Sequence, residues 1–479
     1  MPLLRRARAA AATAALLATG CLAVSLPAGA EPAPQPSCIQ PGPTLRYLVL
    51  FPVGTAEATA QAEIGTACGS TTVYYPEIAV AVATSPDPSF LKLIGPERAY
   101  SAQAEGALRR AEKRKKDDTE LLSASGVRSG ANRTDEQWDM DLINAPEAHK
   151  ISVGSKSVVV GVLDSGVDPQ HPELVGALAP ELSAGCLTGK PDTSVASWSP
   201  TTSAHGTHVA GTIAAANDGR GVTGVAPGVR IASVKVVDSD GFIYPEYAVC
   251  GFMWAATNGM TITNNSYFID PWLFTCQREP GQSVVYQAVK RAVDYATARN
   301  VLNVAAAGNN GVDLSRPGRD AASPTNGDVR ARAVDPSCVV LPAQLKNVVG
   351  VSAVSASSTK AGYSSYGLGS IDVTAPGGEQ REKPGCVLST VPSGYDYSCG
   401  TSMAAPHASG VAALIASTHP DADAASVGRM LNAQAETLAC PADYDLNRTG
   451  VQDAFCTGYS EYNSFYGHGL VDALAAVTK

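Results

Sequence analysis

From Gln137 onward, short β-branched runs alternate with helical stretches, and that alternation leaves few folds open. The runs are Val158–Leu163, Ile231–Val237, Met260–Asn264, Val301–Ala306 and Val348–Val351. Strands separated by helix-length connections predict a parallel sheet covered by helices, an α/β three-layer domain. In such sheets sites form at the carboxyl ends of the strands, so the polar residues just after these runs are the candidates for chemistry. Upstream, Leu45–Val53 reads as a strand, Ala56–Thr66 as a short helix and Thr71–Ala83 as alternating hairpin sequence, together a small α+β unit. It ends near Ala107, where the charged stretch Arg109–Asp118 and then the Ser/Gly/Asn-rich Ser123–Arg133 begin. Such a linker is exposed and easily cut. No internal repeat is present, and the expectation is that no module follows the large domain.

A chain of 479 residues with 45% hydrophobic composition supports two or three folded units. The net charge of −9 and the 16% charged content point away from a nucleic-acid partner. The basic cluster Arg109–Lys116 runs directly into Asp117 and Asp118, as a solvated linker does. At the start, Arg5, Arg6 and Arg8 precede the apolar run Ala9–Leu26, and Ala28-Gly29-Ala30 has the small-x-small form of a signal-peptide cleavage site. The mature chain is therefore expected to be secreted and to begin near Glu31. A lipoprotein reading of Cys21 is weaker, because Ala18 stands where leucine is usual and the apolar run continues past it. No later run reaches the roughly 18 apolar residues of a membrane span. Setting Cys21 aside, ten cysteines remain of eleven, an even number that predicts disulfides in an exported chain. Proximity favours Cys38 with Cys68, Cys386 with Cys399, and Cys440 with Cys456. Asn132, Asn264 and Asn447 head weak glycosylation patterns.

Three segments carry chemistry. Val158–Leu163 runs straight into Asp164-Ser-Gly166, placing a carboxylate at the end of a buried strand. Small residues surround His205 before the chain turns helical, so its ring can face a cleft. Gly400-Thr-Ser-Met-Ala-Ala-Pro406 sets Ser402 at the N-terminus of a helix continuing through Ala416, where unpaired N–H groups and the helix dipole favour an anion. Serine is a weak nucleophile until a base takes its proton, and a histidine held by a carboxylate supplies that base. Ala305-Ala-Ala-Gly-Asn309 ends another strand with a side-chain amide, a candidate oxyanion donor beside the Ser402 N–H. Singly, each residue has a plainer reading: Ser402 as a helix cap, Asp164 as a turn residue, His205 with His208 as two metal ligands lacking a third. His208 is read as a buried structural residue, and His171, His407, His419 and His468 as loop or packing positions.

Taken in order, these motifs identify a resemblance. Asp164-Ser-Gly, His171-Pro-Glu-Leu174, His205-Gly-Thr-His-Val-Ala-Gly211, Gly224-Val-Ala-Pro227, Gly308-Asn309, Ala375-Pro-Gly377 and Gly400–Pro406 follow the order of the subtilisin-like serine peptidases. The resemblance spans Gln137–Val477. It implies a subtilisin-like catalytic domain at 137–479 with Asp164, His205 and Ser402 as catalytic triad and Asn309 with Ser402 as oxyanion hole. Upstream, between the signal peptide read at 1–30 and a linker at 107–136 expected to hold the maturation site, it implies that 31–106 is an inhibitory propeptide whose tail occupies the cleft. It also implies a protein or peptide substrate, no cofactor for catalysis, and structural calcium, for which no acidic loop is specific enough to name ligands; a monomer is the default expectation. One departure stands out: the family's glycine-containing Ser-Leu-Gly-Gly strand is replaced by Asn265-Ser-Tyr-Phe-Ile269. Ser266, Tyr267, Phe268 and Gly308 are thus the candidate substrate-binding residues, with Phe268 expected to narrow the pocket or rearrange its edge. A processing protease for one precursor and a silent peptide-binding fold remain the competing readings.

Overall fold

The structure, a computed structural model, describes residues 38, 42–108, 130–392 and 394–479; the expected signal peptide and most of the expected linker lie outside them. In the N-terminal unit, β1 (Leu45–Leu50), α1 (Glu57–Thr66), β2 (Ser70–Tyr75), β3 (Val80–Ser85), α2 (Phe90–Ile94), β4 (Ala99–Tyr100) and α3 (Ala102–Leu108) follow in order. The strands form an antiparallel sheet in the order β2-β3-β1-β4. Side chains alternate across a strand, so Tyr47, Val49 and Phe51 pack with Ile64 of α1 and Phe90 of α2. Leu48 and Leu50 face the other way, into the large domain.

The large domain opens with α4 (Trp138–Leu142) and α5 (Ala145–His149) and continues through β5 (Val159–Asp164), β6 (Ala184–Gly185), α6 (Val195–Trp198), α7 (His205–Ala214), β7 (Arg230–Lys235), α8 (Pro245–Thr257) and β8 (Ile262–Asn265). Next come β9 (Thr275–Cys276), α9 (Pro280–Ala298), β10 (Leu302–Ala306), β11 (Arg319–Asp320), β12 (Arg332–Ala333), β13 (Cys338–Val339), β14 (Val348–Val354) and β15 (Val373–Pro376). The hairpin β16 (Val387–Val391) and β17 (Gly394–Ser398) leads into α10 (Thr401–Thr418), α11 (Ala424–Gln434) and α12 (Ala473–Thr478). Seven strands among the described residues form a parallel sheet, β15-β14-β10-β8-β5-β7-β6. Both faces are covered, which is why its strands read as continuous apolar runs. Val160 and Val162 meet α7 and α10 on one side; Val159 and Leu163 meet α8 and α9 on the other. Consecutive side chains of one strand thus serve two cores.

The second face of the N-terminal sheet lies on α8 and α9, with Leu48, Val80 and Val82 sharing a cluster with Val249, Phe252, Val285 and Val289. Polar bonds fix the seam. Arg291 donates to the carbonyls of Phe51, Ile78 and Ala79 at 3.0, 3.1 and 3.4 Å, Tyr75 donates to Gly189 O at 2.7 Å, and Asn326 donates to Ala102 O at 2.9 Å. Within the last part of the expected linker, Arg133 N donates to Gly221 O and Gly221 N to Ala131 O at 2.7 and 3.0 Å, so the chain from Ala131 on is already tied to the large domain.

Five disulfides occur among the described residues. Cys38–Cys68, Cys386–Cys399 and Cys440–Cys456 match the pairs expected from proximity. Cys186–Cys250 and Cys276–Cys338 close longer loops. Asn264 is fully buried on the central strand β8, which removes it as a glycosylation acceptor; Asn132 and Asn447 are exposed.

Candidate active site

The carboxyl ends of β5, β8 and β10 and the first turns of α7 and α10 converge on one cavity of about 270 Å³. Asp164, His205, Ser266, Tyr267, Phe268, Gly308, Asn309 and Ser402 all line it, so the structure brings every sequence-predicted site residue to a single place.

Asp164 is the last residue of β5 and its side chain is 1% exposed. Its Oδ1 accepts from Ser165 N at 2.7 Å, and Oδ1 and Oδ2 lie 2.8 and 3.0 Å from His205 Nδ1. A carboxylate acceptor there fixes the proton on Nδ1 and leaves Nε2 as the basic nitrogen. This approach requires a glycine after the histidine: a Cβ on Gly206 would sit 2.5 Å from Gly166 O and 3.1 Å from Asp164 Oδ1. Gly206 N in turn donates to Ser165 Oγ at 2.9 Å.

Ser402 occupies the second position of α10, and its hydroxyl donates to Ser266 O at 3.1 Å. Asn309 follows the end of β10. Its Oδ1 accepts from both Thr401 N and Thr401 Oγ1, at 2.9 and 2.8 Å. With the oxygen held twice, the Nδ2 end is the one free to serve as donor, and it faces the N-terminus of α10, 3.2 Å from where a Cβ on Gly400 would stand. Thr401 Oγ1 also accepts from Gly308 N at 3.1 Å. From sequence alone Thr401 is assigned no role; the signal for it is its place between Gly400 and Ser402.

Tyr267 is buried beside Asp164, its phenol pushed far above the ordinary value first by burial and then by the Asp164 charge, and it donates to Asn265 Oδ1 at 2.9 Å. Phe268 forms part of the cavity wall and packs, half-buried, against Leu273, Phe274, Ala307 and Val340. Apolar bulk therefore stands in the wall at Phe268. His208 lies one turn beyond His205, fully buried, with Nε2 3.2 Å from both Val387 O and Asp396 O. Among the described residues no three His, Cys, Asp or Glu side chains group as a metal site, so the calcium expected from the resemblance gains no ligands and enters no step below. His407 is not merely a packing residue: its Nδ1 lies 2.7 Å from Met403 O and its Nε2 3.0 Å from the buried Asp139.

A hydroxyl at a helix start, an imidazole with its far nitrogen fixed by a carboxylate, and an oriented amide make a set suited to acyl transfer. The comparisons agree. The profile of the subtilase family matches residues 155–469. Subtilisin NAT of Bacillus subtilis subsp. natto is 34% identical over 341 residues, 71% of this chain and 70% of that one. Subtilisin from Bacillus pumilus is 34% identical over 318 residues, 66% of this chain and 98% of that one. The chain belongs to the subtilase family and is a serine endopeptidase. In fold it is also similar to the epidermin leader peptide processing serine protease of Staphylococcus aureus, with a TM-score of 0.65 at 21% identity, covering 91% of this chain and 98% of that one.

Proposed function

We propose that this chain is a secreted endopeptidase made as a self-inhibited precursor, with Asp164, His205 and Ser402 as its triad. His205 Nε2 takes the Ser402 hydroxyl proton as Oγ attacks the scissile carbonyl, and the Nδ1–Asp164 pair stabilises the imidazolium that forms. Asn309 Nδ2 and the Ser402 N–H receive the oxyanion. Collapse expels the amine, which takes the proton from His205, and leaves an acyl-enzyme. Water, deprotonated by His205, then releases the acid and restores Ser402. No cofactor is required. The observation that carries this reading is the 2.8 Å Asp164–His205 contact at the same cavity as Ser402 and Asn309.

On this reading residues 1–30 are the signal peptide, 31–106 the propeptide, 107–136 the linker and 137–479 the catalytic domain. The α8–α9 seam supports an inhibitory role for 31–106, whose connection onward lies outside the described residues. The ties of Ala131 and Arg133 to Gly221 support a maturation cut before Ala131. Ser266, Tyr267, Phe268 and Gly308 form the substrate-binding wall, and the bulk of Phe268 favours a second, narrower reading: a processing enzyme for a particular precursor. Indiscriminate digestion of unrelated proteins would remove that second reading.

The test is N-terminal sequencing of secreted wild type and Ser402→Ala, with casein hydrolysis alongside. The expected result is a wild type starting between Ala107 and Ala131, a variant starting at Glu31, and casein cleaved only by the wild type. Equal processing of both chains defeats self-maturation, and casein cleavage by Ser402→Ala defeats the triad.

A further inference from the structure

A buried row of side chains runs from Ser266 in the cavity wall through Asn264 to Ser409, and the last two have no part in the mechanism above. Pro406, inside α10, has no N–H, so the carbonyl of Ser402, four residues earlier, lacks its helical partner. Ser266 Oγ supplies one, donating to Ser402 O at 2.9 Å, while Ser402 Oγ donates back to Ser266 O. Ser266 Oγ in turn accepts from Asn264 Nδ2 at 2.9 Å. Asn264 Oδ1 accepts from Ser409 Oγ at 2.9 Å. Asn264 and Ser409 are fully buried and Ser266 is 4% exposed, so water does not compete for these bonds.

Every bond in the row runs one way. The Ser402 carbonyl can only accept, so Ser266 gives it the proton and turns a lone pair to the Asn264 N–H, which leaves Asn264 Oδ1 to accept from Ser409. The Ser266 proton is thereby directed at the one helical carbonyl that proline leaves unpaired, which belongs to the residue carrying the nucleophile. We propose that Asn264 and Ser409 are positioning residues for Ser402, holding its peptide plane through Ser266 so that hydroxyl and N–H keep their places against the substrate carbonyl. This rests on Ser402 being the nucleophile. Displacing a reacting group by about 1 Å costs on the order of 10²-fold, so a loosened peptide registers in turnover.

The test compares secreted wild type with Ser409→Ala, Asn264→Ala and the double variant. Active sites are counted with a serine-directed phosphonate, and kcat and KM are measured on a chromogenic peptide anilide that the wild type turns over. Expected are kcat losses per labelled site of about 3-fold for Ser409→Ala and about 10-fold for Asn264→Ala, with KM within twofold. The double variant falls no further than Asn264→Ala, because Ser409 acts through it. If Asn264→Ala does not fold, Ser409→Ala decides alone. A lowered Tm with kcat per labelled site within twofold of wild type overturns the proposal and leaves the row a packing device; so do multiplicative losses in the double variant. Failure of the phosphonate to label wild type is a separate outcome, since it removes the nucleophile assignment.

Discussion

At Thr401 one hydroxyl does two jobs: it donates to Asn309 Oδ1 and accepts from Gly308 N. Replacing it by the isosteric valine removes one of two bonds holding the amide and leaves Gly308 N without its acceptor, while Thr401 N still holds Oδ1. On the proposed roles, Thr401→Val lowers kcat about 10-fold with little change in KM. Asn309→Ala lowers it by about 10²–10³, a figure that comes from a subtilisin and so is a family value here, not an independent estimate. Steady-state kinetics on active-site-titrated enzyme checks both, and an Asn309→Ala enzyme with undiminished kcat would remove the oxyanion assignment. At this scale Asp164, His205, Ser402 and Asn309 were legible because each ends a strand or starts a helix inside a short local motif. Thr401, Asn264 and Ser409 were not: their partners lie 92, 2 and 145 residues away, and a threonine or asparagine in a strand or cap has many ordinary uses.

Among the elements, α7 carries two histidines with opposite circumstances. His205 opens to the cavity, whereas His208 is enclosed and bolts α7 to the β16–β17 hairpin that leads to α10. Burial, with a smaller push from His205, lowers the His208 imidazole to about 3. The unfolded chain, titrating near 6.5, then binds the extra proton first, so this site weakens the fold as pH falls from about 6.5 toward 3 and has no such effect above. The slope is roughly 1.4 kcal/mol per pH unit. In a Ser402→Ala background, which prevents self-digestion, chemical unfolding at pH 7 and pH 4.5 measures it. His208→Gln keeps N–H donors for both carbonyls without titrating, so its stability drops less between the two pH values; an equal drop refutes the assignment. The hairpin itself was not read from the sequence, although Cys386 and Cys399 bracket it. The main strands were: the runs ending at Leu163, Val237, Asn264, Ala306 and Val351 lie within a few residues of β5, β7, β8, β10 and β14, because strands covered on both faces must be apolar throughout. Two-residue strands such as β9 and β13, joined by Cys276–Cys338 across 62 residues, have no local signature.

For the molecule as a whole, on the proposed inhibitory role of residues 31–106, release of the seam between the N-terminal sheet and α8–α9 is what frees the cavity. Glu246, in the first turn of α8, is buried there, with Arg46 of β1 3.8 Å away. Burial outweighs the attraction of Arg46, and the carboxyl is pushed up to about 7. If docking of the N-terminal unit is what buries Glu246, docking takes up a proton between the ordinary carboxyl value and about 7. A group whose value is raised in the docked state contributes binding that is fully present below its undocked value and is lost as pH rises through about 7. The separately produced 31–106 unit should therefore inhibit the mature enzyme more tightly at pH 5 than at pH 8. A tenfold change in the inhibition constant corresponds to about 1.4 kcal/mol, within reach of a single carboxyl shifted this far. Glu246→Gln, neutral throughout, flattens the profile without touching the cavity. An inhibition constant that tightens with rising pH, or one unchanged by Glu246→Gln, would mean that the seam is held by its apolar face and by the bonds of Arg291, Tyr75 and Asn326, with Glu246 a silent passenger in the interface.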